Sequence, residues 1–287
     1  MPKAPARHRL APDIDMEIAA ISEACAPQGM TVEAADWRRM TDQEGFDAAL
    51  ALGVWDYQDR PDDLLGLLAA SEARGAPVFN PAGILRWNIR KTYLRDLEEQ
   101  GVAIVPTVWA ESPSAADVEE AFERFGCDAV VLKRQVGAGA HGQSRIVRGQ
   151  PLAEGKLLDR PGMIQPFLPA IEMEGEFSFF FIDGTFCHAV QKQAAAGDYR
   201  IQPTYGGVAR AIVPEEIDLA AAVSVFSSIR GDPLYARVDM VRGPDGRLLL
   251  MELELIEPLL FPRAGEQVAE RIGDLFARGL AKRLGRD

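Results

Sequence analysis

The stretch LLLMELELIEPLLF, residues 248–261, sets three carboxylates, Glu252, Glu254 and Glu257, into one of the most apolar runs of the chain. An ionised acid there is costly unless a cation or hydrogen bonds offset it. Upstream lies YARVDMVR, and the residues between the two segments, GPDG at 243–246, are turn formers, so the pair reads as a β-hairpin. A tip at Pro244–Asp245 places Asp239 opposite Leu250. Because side chains alternate along a strand, Asp239 then shares a face with Glu252 and Glu254, while Met251, Leu253 and Leu255 point the other way. Glu252 and Glu254 stand about 6.5–7 Å apart by strand rise, and oxygen-only ligation of this kind suits Mg²⁺. The plainer alternative is a strand with a solvated acidic face, and a bulge would undo the parity.

A phosphate-binding partner for such acids is found in VVLKRQVGAGAHGQSRIV, residues 130–147, where a strand carrying Lys133 runs into Gly137, Gly139 and Gly142. The glycines formally match G-x-G-x-x-G, yet a dinucleotide fingerprint must open a helix, and QSRIVRG reads as another strand; the ending of a P-loop is also missing. A glycine loop joining two strands can instead fold over a triphosphate, its N–H groups donating while the lysine neutralises charge. Alone it is a weak signal, and a mobile hairpin loop is the plainer reading. Lys91, in NIRKTYL, lies on an amphipathic helix, where a lysine is ordinarily solvated.

The elements that must position these residues follow from periodicity and punctuation. A helix (DMEIAAISEACAPQG), two strands (MTVEAADW and FDAALALGVWDY), a helix (PDDLLGLLAASEARG) and a strand (PVFNP) suggest a parallel sheet covered by helices. Residues 86–100 read as one charged helix ended by Gly101. VAIVPTVW, a helix over 114–125, DAVVLKRQ, the glycine loop and SRIVRG form a small α/β unit, and from residue 163 onward strands dominate, with helices at 215–230 and 265–283. The fold class is therefore α/β passing into α+β with much antiparallel pairing.

Composition bounds the function. The chain has 287 residues, 47% hydrophobic and 26% charged, with a net charge of −12, which argues against a nucleic-acid partner. Cys25, Cys127 and Cys187 are far apart without metal-ligand spacing, as expected for a reducing cytoplasm, and no segment approaches the ~20 apolar residues of a membrane helix.

Taken in order, Lys91, Lys133 with its glycine loop, IQPFL and the acidic hairpin resemble the ATP-grasp superfamily. Within it the chain is most similar to the O-ureido-D-serine cyclo-ligases of D-cycloserine biosynthesis and to glutathione-synthetase-like ligases. WDYQDR, NPAGILRWNIRKTYL, VPT, VLKRQVGAGAHG, QPFL, EGEFSFFFIDG, HAVQK, GDYR, YGG, RVDMV and MELELIEPLLF carry the likeness, over about residues 50–262. The strand that opens such relatives is not recognisable in RHRLAPDID.

The resemblance implies an ATP-grasp fold with a Rossmann-like N-terminal substrate domain (1–85), a central lid (86–165) and a C-terminal antiparallel lobe (166–287). It also implies that Lys91, Lys133 and Gly137, Gly139 and Gly142 hold ATP phosphates, that Gln165, Phe167 and Leu168 meet adenine, and that Glu176 meets ribose. Lys192 and Arg200 would be catalytic, meeting the γ-phosphate and acyl group, with Asp239, Glu252 and Glu254 binding Mg²⁺, as two ions. Asp56, Tyr57, Arg86, Gly206 and Gly207 would contact a small amino-acid-like substrate. His8, His141 and His188 need no catalytic role. The implied activity is an ATP-dependent carboxylate–amine ligase acting through an acyl phosphate; an amino-acid or peptide ligase and a non-catalytic nucleotide-binding regulator stay open. A homodimer is compatible with the resemblance, and no interface for one is legible.

Overall fold

The computed structural model describes residues 11–39, 46–75, 77–153, 155, 157–195 and 206–286. Two antiparallel sheets dominate. The smaller orders β3 (Val108–Ala110), β6 (Gly162–Pro166), β4 (Ala129–Arg134) and β5 (Ser144–Val147); the larger orders β11 (Leu248–Glu254), β10 (Tyr235–Arg242), β7 (Glu176–Ile182), β8 (Thr185–Gln193) and β9 (Val208–Ile212). A short parallel contact between β1 (Ala49–Leu50) and β2 (Val78–Phe79) is all that forms of the N-terminal sheet among the described residues. MTVEAADW forms no strand, and the expected strand over 46–57 ends at Leu50, passing into a 3-10 turn at Trp55–Asp59. None of the helices of the described residues is long and apolar enough to cross a membrane.

β7 is buried along its whole length, as FSFFF suggests, because both of its faces are covered. Phe177, Phe179 and Phe181 pack towards α7 (Glu216–Ser227), whereas Phe180 and Ile182 pack beneath α8 (Glu266–Arg283) with Ile272 and Phe276. The first helix, α1 (Ala11–Cys25), joins α8 through Ile21 and Cys25. Gly273 permits that approach: a Cβ there would lie 2.4 Å from the Ala20 carbonyl oxygen.

The helix expected over 86–100 is broken into α3 (Ala82–Asn88) and α4 (Tyr93–Glu99). Two interactions account for the break. The Asn88 amide donates to Leu253 O and accepts from Leu255 N, tying the end of α3 to the acidic strand, and Lys91 N donates to Gln135 O at 2.8 Å, tying the next residues to the end of β4 in the smaller sheet.

The hairpin differs from expectation in register but not in facing. Its loop is longer than two residues, with Gly243 N bonded to Arg247 O and Arg242 paired with Leu248. A bulge at Met251 then shifts the ladder, so that Met240 pairs with Leu250 but Asp239 with Glu252 and Arg237 with Glu254. The longer loop and the bulge each displace the register by one residue, so parity returns and Asp239, Glu252 and Glu254 share a face.

Candidate active site

Read across the large sheet, one face carries Glu252 and Glu254 on β11, Arg237 and Asp239 on β10, Glu176 and Ser178 on β7, and Lys192 on β8, all joined by direct pairing. These side chains form one network. Lys192 Nζ lies 2.6 Å from Glu176 Oε1 and 3.2 Å from Asp239 Oδ1, Ser178 Oγ donates to Asp239, and Arg237 grips both Asp239 oxygens at 2.7–3.0 Å and reaches Glu254. Against the cost of burial, Arg237 and Lys192 hold the Asp239 carboxyl well below the usual range. Burial, reinforced by Asp239 and opposed by Lys192, raises Glu176 to about 7, and burial raises Glu254 well above its ordinary value.

This face floors a cleft of about 410 Å³, within the range of small-molecule sites. Its roof is the lid sheet. Lys133 and Arg134 from β4, Gly137 and Gly139 of the loop, Gln165 and Pro166 at the end of β6, and Phe167 and Leu168 just after it line it, with Val105, Val131, Ile171, Val241 and Met251 completing an apolar slot at one end. Lys91, freed from the helix by the break after α3, reaches across: its Nζ is 2.8 Å from Glu252 Oε1 and 2.5 Å from the Gly137 carbonyl. Burial works against the Lys91 charge, yet Glu252 keeps its pKa above the ordinary value, whereas burial and the neighbouring Lys91 lower that of Lys133. Gly142, at φ +71°, folds the loop onto Arg134, where a Cβ would sit 2.5 Å from Nε. In the slot, Gln165 donates to Thr107, and Phe167 N–H is already used by Ala129 O.

The other sequence-derived candidates fall elsewhere. Asp56 is held by Trp37 Nε1 and Arg38, Tyr57 is buried behind the cleft wall, and Arg86 pairs with Glu72 on the outside. None lines the cleft, because the WDYQD segment is a 3-10 turn whose Trp55 and Gln58 face it instead. Gly206 and Gly207 do not line it either, and Arg200 and His8 lie outside the described residues. His141 lines the cleft, while His188 is stacked on Phe180 and bonded to Leu260 O. Arg134, Arg237, Trp55 and Gln58 escaped sequence reading; the pairing of Arg237 with the hairpin acids was the one signal available.

Among the described residues no three acidic, histidine or cysteine side chains form a metal cage. The reason is visible: Lys91, Lys192 and Arg237 stand between the acids. A hard-oxygen pair, Asp239 and Glu252 in direct cross-strand register, still fits Mg²⁺, which takes one or two protein carboxylates and completes its shell with water and substrate phosphates.

A nucleotide-sized cleft between an antiparallel lid and an antiparallel palm, with lysines on the lid side and acids on the floor, is that of an ATP-grasp ligase. Solved structures agree over nearly the whole chain. D-cycloserine synthetase DcsG superposes with a TM-score of 0.77 at 27% identity over 95% of each chain, and D-alanine–D-alanine ligase from Bacillus anthracis with 0.67 at 14% identity over 97% of this chain and 95% of that one. Residues 4–80 match the family described as D-cycloserine synthetase DcsG, N-terminal domain. The chain is 30% identical over 294 residues to cycloserine biosynthesis protein DcsG of Streptomyces lavendulae, covering 94% of this chain and 95% of the relative. Glutathione synthetase of Prochlorococcus marinus is 27% identical over 218 residues, 71% of this chain and 66% of the relative. The protein belongs to the DcsG family of ATP-grasp ligases. It is an ATP-dependent enzyme that forms C–N bonds with small-molecule substrates.

Proposed function

We propose that the chain is a cycloserine-type cyclo-ligase, activating the carboxylate of an amino-acid derivative and closing it onto a nitrogen of the same molecule. The observation that carries this is the convergence of Lys91, Lys133, Lys192 and Arg237 with Asp239 and Glu252 in one cleft; similarity to the Streptomyces lavendulae protein supports the substrate class.

A carboxylate oxygen attacks the γ-phosphorus, the bond to the β-phosphate oxygen breaks, and ADP leaves. The nitrogen then attacks the acyl carbon, phosphate departs, and the nitrogen's proton ends on that phosphate. Positioning and charge neutralisation suffice for both steps. Lys91 and Lys133, under the glycine loop of Gly137, Gly139 and Gly142, bind phosphate oxygens. Gln165 and the backbone at Leu168 orient adenine, and Glu176 is placed for ribose. Lys192 and Arg200 serve the transferred group. Asp239, Glu252 and Glu254 would hold two Mg²⁺ ions, which would supply charge neutralisation. Residues 1–85, 86–165 and 166–287 act as substrate domain, lid and metal-bearing lobe, in a cytoplasmic protein.

The test is acid-dependent ADP release with O-ureido-D-serine and a panel of amino acids, hydroxylamine trapping the acyl phosphate. Glu252→Gln should lower turnover by at least ~10²-fold without unfolding the protein. A linear dipeptide as product would favour the amino-acid ligase reading. Nucleotide binding with no ADP release from any acid would leave the regulator.

A further inference from the structure

The irregular segment that follows β11 is held by side chains from the N-terminal region and from the large sheet. Asn80 donates to Leu255 O, Tyr235 to Ile256 O, Trp55 to Glu257 O and Arg237 to Leu259 O; Glu17 accepts from Leu260 N, and His188 bonds Leu260 O. A loop fixed at so many backbone groups is a rigid platform, and what it presents to the cleft is Glu257, flanked by Leu259 and Phe261 and faced by Trp55 and Gln58.

Glu257 is 5% exposed. Among the described residues the other four cleft carboxylates each have a cation within ion-pair distance: Glu176 with Lys192, Asp239 with Lys192 and Arg237, Glu252 with Lys91, and Glu254 with Arg237. Glu257 has none within that distance among the described residues, Lys91 acting on it only from farther off, and the Tyr57 hydroxyl supplies a hydrogen bond that fills one of the roughly four acceptor positions of a carboxylate. Burial accordingly pushes its pKa up to about 8. Along β10 and β11 the order is the apolar slot at Val241 and Met251, then Asp239 and Glu252, then Arg237 and Glu254, then Glu257. Glu257 therefore lies beyond the phosphate-binding floor, on the side away from the nucleotide base, with an indole beside it that also suits a cation.

We propose that this end of the cleft is the subsite for a primary ammonium group on the acid being activated, with the Glu257 carboxylate as its counter-ion and Trp55 as its wall. The proposal rests on the ligase reading above. It makes the preferred substrate an amino acid with a free amine, selected by a residue that does not take part in phosphoryl transfer.

The test is kcat/KM for acid-dependent ADP release by the intact chain, with O-ureido-D-serine and D- and L-amino acids, each beside the acid bearing hydrogen in place of the amine. The wild type should prefer the amine by about 10²-fold, the usual effect of a charge-assisted hydrogen bond. Glu257→Gln should lose that preference through KM, with kcat and MgADP affinity retained and the melting temperature not lowered. Equal use of the des-amino acids by the wild type overturns the subsite whatever the variant does. So does a folded Glu257→Gln that keeps the preference, or one whose defect is a raised Mg²⁺ requirement, which would make Glu257 a metal ligand. Absence of ADP release with every acid overturns the ligase reading itself, and the subsite with it.

Discussion

Glu17, on α1, is 3% exposed and accepts a hydrogen bond from Leu260 N, so it is one of the clamps on the platform that presents Glu257. Burial, with a smaller push from Asp13 and opposed by the Leu260 N–H and Arg237, raises its pKa from 4.5 to about 8. The sign follows from proton counting. Between those values the unfolded chain has lost the proton and the folded chain keeps it, so stability falls as pH rises. At neutral pH the gap is roughly two and a half units, and at about 1.4 kcal/mol each the cost is about 3 kcal/mol. Glu17→Gln keeps the acceptor oxygen and removes the titration. It should be more stable than the wild type by about 3 kcal/mol at pH 7, or about 6 °C in melting temperature. At pH 5 the two should be nearly equal, the difference growing by about 1.4 kcal/mol per pH unit. Parallel melts or urea titrations from pH 5 to 7.5 read this directly. A stability difference that does not change with pH, or a Gln variant less stable at neutral pH, would show that Glu17 is ionised in the fold and refute the reasoning.

Two further perturbations probe the cleft. Arg237→Met leaves Asp239 and Glu254 buried without their shared cation, which should cost about 3–5 kcal/mol in denaturant titrations; adding Asp239→Asn should recover much of it, and a fully stable single variant would refute the network. Gly142→Ala places a side chain at φ +71° against Arg134, a strain of about 1–2 kcal/mol that should raise KM for ATP about tenfold in steady-state assays while lowering the melting temperature by only about 2–4 °C.

The residues that mattered were unequally visible beforehand. The acidic hairpin was legible because alternation is a short-range property, and it survived a wrong register because a longer loop and a bulge shifted the ladder by an even number of residues. In the N-terminal region Asp56 and Tyr57 do not line the cleft, whereas Trp55 and Gln58 of the same segment do, since a 3-10 turn does not obey strand parity. The single helix expected over 86–100 concealed the break that releases Lys91. The signal for that break, Asn88 bonded to the acidic strand 165 residues away, does not exist in the local sequence.

By itself the sequence determined the chemical inventory and its order: two lysines, a glycine loop between strands, a turn, and acids on one strand face. Those features depend on backbone propensity and side-chain alternation, which act over a few residues. Only the tertiary structure decided which cation meets which acid, as in Lys91 reaching both Gly137 and Glu252 or Gln58 meeting Ala138. Ion pairs and buried carboxylates owe their energies to long-range closure and exclusion of water, and that is why Glu257, one glutamate among several in the sequence, stands apart as the cleft carboxylate without an ion-pair partner among the described residues.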